Sequence, residues 1–244
     1  VWASTVFTIT AQARLGPPGV DDRALYVGRS RDDLLLLAQS GTQAPGRPTG
    51  TQLRSSSTAS GSALENDPAI SAFGEITFFA SGLYDPTNPS NTPATADTAF
   101  FWGTVGNLTA IAREGNQVPG LAPGVQFGNL TFSRQSHMSN SFAINGNGET
   151  LLDSKFGGTA NNGNDRGLVV WQPGSGATVL SREGMQVPGM ASGVIATGGP
   201  GHGANSWNDS GKTLFVWAVT DGGATITTAN NTVVLYGGVG NLNK

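Results

Sequence analysis

Arg113-Glu114-Gly115-Asn116-Gln117-Val118-Pro119-Gly120 returns almost unchanged as Arg182-Glu183-Gly184-Met185-Gln186-Val187-Pro188-Gly189. A worn copy, Gln39-Ser40-Gly41-Thr42-Gln43-Ala44-Pro45-Gly46, stands upstream. Each follows an apolar run and ends in Pro-Gly, so each reads as a strand closed by a turn. Recurrence at this fidelity marks a tandem repeat, and the rest of the chain can be placed around it.

The strand that precedes each copy also recurs. Arg23-Ala24-Leu25-Tyr26-Val27-Gly28, Thr98-Ala99-Phe100-Phe101-Trp102-Gly103, Arg166-Gly167-Leu168-Val169-Val170-Trp171 and Thr232-Val233-Val234-Leu235-Tyr236-Gly237 each follow an Asp or Asn. Those leaders are Asp22, Asp97, Asp165 and Asn231, at steps of 75, 68 and 66 residues. A third element is a turn of the form Asn-x-x-Gly before an apolar strand. Asn145 with Gly148 precedes Leu151-Leu152, Asn208 with Gly211 precedes Leu214-Phe215, and Ser71 with Gly74 precedes Phe78-Phe79. Asn accepts hydrogen bonds from the backbone of a tight turn and Gly takes its left-handed position, so both have a structural reading.

Each unit is therefore expected to hold about four strands, the fourth leaving only traces at Ala69-Ile70 and in Gln126 to Phe132. The chain reads as one all-β domain over 1–244. It comprises a half repeat at 1–21, repeats at roughly 22–96, 97–164 and 165–230, and a partial repeat at 231–244. Sheets that repeat along a chain bury their faces only against their neighbours. A propeller-like ring is the leading arrangement, with a β-sandwich or β-solenoid stack as the alternative. The repeat count is about three and a half units of 65–75 residues. The terminal segment Gly240-Asn241-Leu242-Asn243-Lys244 breaks off where a third strand should begin. An unfinished sheet edge invites strand addition by another copy, which repeated end to end builds a filament. The plainer reading is a fragment of a longer repeat protein.

The paired Asn-x-x-Gly turns and the Arg-Glu-Gly…Pro-Gly strand ends resemble the tandem NxxGxxAF repeats of bacterial "choice-of-anchor" surface proteins. The likeness spans nearly the whole chain, although Leu151-Leu152 and Leu214-Phe215 stand where that family has Ala-Phe. It implies export and attachment at a cell surface, and supplies no catalytic residues.

Composition agrees with a β-rich, turn-rich chain: charged residues make up 12% of the 244 and Gly contributes 36. That is half the usual charged fraction. With a net charge of −3 there is no basic footprint for nucleic acid. No apolar run reaches the ~18 residues of a membrane span. The absence of Cys, the scarcity of Lys and a start at Val1 suggest an exported, processed chain.

Candidate chemistry is sparse. The pairs Arg113/Glu114 and Arg182/Glu183 lie on adjacent strand positions and diverge to opposite faces, which favours a structural bond between repeats over catalysis. The set Gly115, Pro119, Gly120, Gly184, Pro188 and Gly189 reads as turns. His137 and His202 have no Cys partners and no zinc spacing. Calcium is a candidate ligand on the loops carrying Asp85, Asn161, Asn164 and Asp165, where oxygen donors cluster; no other cofactor is expected. The acids Asp32/Asp33, Glu65/Asp67 and Asp153 have no setting that marks a sugar hydrolase. Tyr26, Trp102, Trp171 and Tyr236 occupy similar places near the end of the second strand, where core packing between sheets is expected and a rim of sugar-stacking platforms is the alternative. The expectation is a non-enzymatic extracellular or cell-surface structural protein that associates with copies of itself. Its rival is a carbohydrate-binding or glycan-active propeller, recognisable by Trp and carboxylates gathered in one cleft.

Overall fold

A computed structural model describes residues 7–13, 22–53, 64, 68–84, 97–128, 142–158, 160, 163–201, 207–221 and 231–243. The described residues form strands and turns with no helix. They fall into two compact units, 1–114 and 115–244.

In the first unit, β1 (Phe7–Ala13), β2 (Asp22–Gly28) and β3 (Leu35–Gln39) make one antiparallel sheet in that order. A second sheet has the order β4 (Gln52–Leu53), β6 (Ile76–Tyr84), β7 (Asp97–Thr104), β8 (Asn107–Arg113). The short β5 (Ala69–Ile70) also pairs with β6. One core joins the two sheets: Leu25, Val27 and Leu37 meet Ile76, Phe78, Ala99 and Phe101. Phe78 and Phe101 face each other across β6 and β7 with stacked rings 5.3 Å apart.

In the second unit, β10 (Phe142–Ile144), β11 (Thr150–Gly158), β12 (Arg166–Gln172) and β13 (Gly176–Arg182) form the third sheet, with β9 (Val125–Phe127) also on β11. The fourth sheet runs β14 (Ile195–Gly201), β15 (Thr213–Thr220), β16 (Thr232–Gly238), β17 (Asn241–Asn243). Leu151, Leu168 and Val170 of the third sheet share a core with Phe215, Trp217, Val219 and Leu235 of the fourth. Alternation within β15 and β16 decides which side is covered: Phe215, Trp217, Val233 and Leu235 point in, while Leu214, Val234 and Tyr236 point out.

The strands expected after each turn and each Asp are present. The weak fourth strand has a physical explanation. Along β6 its place is taken by two pieces, with β4 on Leu83 and Tyr84 and β5 on Ile76 and Thr77. Along β11, β9 pairs with Phe156, Gly157 and Gly158, and β10 pairs with Thr150, Leu151 and Leu152. Pieces of two or three residues carry no readable alternation.

Two expectations need correction. The chain does begin its last third strand, because β17 pairs with β16 through Tyr236↔Asn243 and Gly237↔Leu242. Trp102 and Tyr236 face matching positions of the neighbouring strand, and Trp171 sits one residue beyond that place. Trp102 opposes Thr77 and Tyr236 opposes Leu214, but it is Val170 that opposes Leu151. The four strand-end aromatics are also not core residues: Tyr26, Trp102 and Trp171 are half-buried and Tyr236 is 46% exposed. The buried aromatics are instead Phe78, Phe100, Phe101, Phe156, Phe215 and Trp217.

Two glycines show how tightly the hairpins close. Gly103 at φ 141° and Gly237 at φ 148° lie against the returning strand. A Cβ there would stand 2.0 Å from the Asn107 carbonyl oxygen or 1.9 Å from that of Asn241, so only glycine fits.

Candidate functional site

The Arg-Glu-Gly…Pro-Gly stretches are loops held by their own side chains. In each, a Gln closes the loop. Gln117 Nε2 donates to the carbonyls of Val118, Leu121 and Ala122, and its Oε1 accepts from the Gly124 amide at 2.9 Å. Gln186 donates to Val187 and Ala191 and accepts from Gly193 at 2.8 Å. Gln43, in the worn copy, donates to Ala44, Arg47 and Pro48 and accepts from Gly50 at 2.9 Å. The motif is therefore Gln-x-Pro-Gly-x-x-x-Gly, with a buried Ala44, Val118 or Val187 plugging each loop. The recurring stretch thus extends past its Pro-Gly. The signal that completes it is the glycine seven residues after each Gln.

The Glu of each pair has a second task. Glu114 Oε2 accepts from the Thr98 amide and hydroxyl at the start of β7. Glu183, 5% exposed, accepts from the Asp165 amide and, at 2.7 Å, from the Gly198 amide on β14. Arg182 turns elsewhere, donating from Nε to the Asn164 carbonyl at 2.8 Å with its guanidinium over the Phe156 ring. In the worn copy the buried Ser40 Oγ accepts from the Arg23 amide. Burial pushes the Glu183 carboxyl above its ordinary value, and the Gly198 amide partly offsets the rise. Gly115, Gly120, Gly184, Gly189, Gly148 and Gly211 all hold φ between 66° and 81°. Pro119 is exposed and Pro188 half-buried at the loop tips.

The Asn-x-x-Gly turns are stitched in the same manner. Asn145 Oδ1 accepts from the amides of Asn147 and Glu149, and Asn208 Oδ1 from those of Ser210 and Lys212, all at 3.0 Å. Ser71 Oγ does this for Phe73 and Glu75. The two Asn turns then meet. Asn145 Nδ2 donates to the Asn208 carbonyl at 3.0 Å, the Gly146 amide to Asp209 Oδ1 at 2.5 Å, and Asn147 Nδ2 to the Asp209 carbonyl at 2.6 Å. Glu149 is held at both oxygens, by Gln172 Nε2 at 2.5 Å and by Asn145 Nδ2 at 2.7 Å.

Beside this junction lies a cleft of about 390 Å³. Glu149, Gln172, Trp207, Asp209, Lys212 and Asn241 line it. Neither Glu149 nor Asp209 was singled out by sequence, although each follows a residue of the recurring turn. Comparing the turns would have exposed them: Glu75 and Glu149 are matched by Lys212 in the last copy, so a reversal of charge falls in this one place.

The remaining candidates are scattered. Asp85, Asn161, His137, His202, Glu65 and Asp67 lie outside the described residues. Asn164 offers its carbonyl to Arg182, and Asp165 stands 4.0 Å from Lys155. Among the described residues no three His, Cys, Asp or Glu side chains converge on a point. Asp33 accepts from the Arg29 and Ser30 amides, and the Ser30 amide holds its carboxyl below the ordinary value. Asp153 is half-buried on β11. Among the described residues no helix is long and apolar enough to cross a membrane.

No curated protein matches this chain, and no solved structure does. One family matches across residues 4–243, nearly end to end. The chain belongs to DUF7453, a family of unknown function.

Proposed function

We propose that this is a non-enzymatic structural protein of the cell exterior, built from tandem sheet repeats that associate with further copies of the same chain. One observation carries the reading: the fourth sheet leaves apolar a face whose counterpart on the third sheet is buried. Leu214, Val234 and Tyr236 are 49%, 50% and 46% exposed. Their counterparts Leu151, Leu168 and Val170 are at 0%, 2% and 0%, packed against the fourth sheet. What covers that equivalent face is a sheet of this same chain, so a sheet from a second copy is the occupant that fits. A contact made by two different faces is head-to-tail and propagates.

Two further observations support a structural role. The recurring polar residues bind backbone groups of their own chain, as Gln117, Gln186, Glu114 and Glu183 do. The Arg-Glu pairs thus serve the fold. A ring of sheets, as in a propeller, and a linear stack both satisfy this pattern of covered faces. Export accords with the lack of cysteine and the resemblance to surface proteins.

Sedimentation velocity over a wide concentration range tests the proposal. Wild type should associate with increasing concentration, and Tyr236→Lys combined with Val234→Lys should remain monomeric while folded. A wild-type monomer at every concentration would overturn self-association.

A further inference from the structure

We propose that the cleft beside the Asn145 and Asn208 turns binds a neutral saccharide. This does not rest on self-association, although Lys212 of the cleft lies over Tyr236 of the exposed face; it rests on the size, rigidity and remaining chemistry of the cleft.

At about 390 Å³ it falls within the range of small-molecule sites. Its wall is pre-formed, because three hydrogen bonds lock one turn to the other and Glu149 is held at both oxygens. Gly211 keeps the wall open: a Cβ there would come within 3.3 Å of Glu149 Oε2 and 3.9 Å of the Trp207 ring.

The groups left over are mixed in sign and character. Asp209 uses Oδ1 on the Gly146 amide, and Oδ2 remains an acceptor. Gln172 uses its amide nitrogen on Glu149 and retains Oε1. Lys212 lays its ammonium over the Tyr236 ring, 5.6 Å from the centroid, and makes no ion pair among the described residues. The Ser210 hydroxyl adds a group able to donate and accept. Trp207 and Val239 contribute apolar surface.

This set selects by exclusion. Glu149 and Asp209 outnumber Lys212, so an anion meets net repulsion. Calcium needs six to eight oxygens, whereas the cleft offers two carboxylates, one of them already bonded at both oxygens, beside an ammonium. An apolar ligand would strand Asp209 and Lys212 without water. A sugar offers hydroxyls to both donors and acceptors and a C–H face to Trp207 and Val239.

The test is calorimetric titration with glucose, galactose, mannose, N-acetylglucosamine and their β-1,4-linked disaccharides. Sodium phosphate, calcium chloride and spermidine serve as charged comparators. Asp209→Asn keeps an oxygen for the Gly146 amide but replaces the free acceptor with a donor, and Lys212→Met removes the free donor. At least one sugar should bind wild type, with affinity at least tenfold lower in each variant at an unchanged melting temperature. Three results would overturn the proposal: no sugar binding to wild type, binding to either variant as tight as to wild type, or binding of a charged comparator alone.

Discussion

The third and fourth sheets share strand order and register, yet differ on one face. Leu151 opposes Val170 across β11 and β12, as Leu214 opposes Tyr236 across β15 and β16. The first pair is fully buried and the second about half exposed. The opposite faces do not differ, since Leu152 and Val169 are at 0% and Phe215 and Leu235 at 1%. Alternating strands of a sheet with one wet face carry polar residues outward. The fourth sheet carries Leu, Val and Tyr there instead. Its sequence is thus that of a sheet covered twice, in a place where the chain covers it once. Contiguous exposed apolar surface of this kind marks interaction sites.

Substitution across the matched positions should bring out the contrast most strongly. Leu151→Ala should lower the unfolding free energy in urea by about 2–5 kcal/mol, through lost burial and a residual cavity. Leu214→Ala, under dilute conditions, should change it by less than about 0.5 kcal/mol. Equal losses would mean that the two faces are equally packed in solution. A second large effect belongs to the hairpins. Gly237→Ala should cost about 1–3 kcal/mol, because the added methyl collides with the Asn241 carbonyl at a left-handed φ. Gly103→Ala should match it in the second sheet, as the geometry at Asn107 is the same. A tolerated alanine at either position would show that β17 or β8 does not close so tightly on the glycine.

The loop locks come next. Gln117→Ala removes three donated bonds and one accepted bond from an exposed loop, where water replaces part of the loss. A cost of about 0.5–1.5 kcal/mol is expected. Gln186→Ala should cost somewhat less, since that side chain donates to two carbonyls. The smallest effect is a pH dependence. Glu183 has its folded pKa raised above the model-compound value of 4.5, so its proton binds the folded state more tightly than the unfolded one. Its contribution is present below the unfolded pKa and is lost as pH rises through the folded pKa. Wild type should therefore lose a little stability as pH climbs from about 4.5, and Glu183→Gln should flatten that slope. An unchanged slope in the variant would assign the dependence to another group.

Much of the fold was legible because strands that recur are read several times over. Asp22, Asp97, Asp165 and Asn231 each stand at the start of a second strand, and Asn145 and Asn208 each cap a turn. What escaped depended on contacts far apart in sequence. The split fourth strand is ordered only by pairing with β6 or β11. The burial of the strand-end aromatics escaped because it depends on which sheet covers each face, and Tyr236 lies on the face left open. The cleft was hidden because Glu149 and Asp209 lie 60 positions apart and acquire a common setting only when the two turns bond.

Hydroxyl-radical footprinting at rising protein concentration tests the central claim most directly. Leu214, Val234 and Tyr236 should be oxidised readily in dilute protein and become protected together as concentration rises, while Leu151, Leu168 and Val170 remain protected throughout. Labelling of the fourth-sheet residues that stays constant across the whole range would contradict the account.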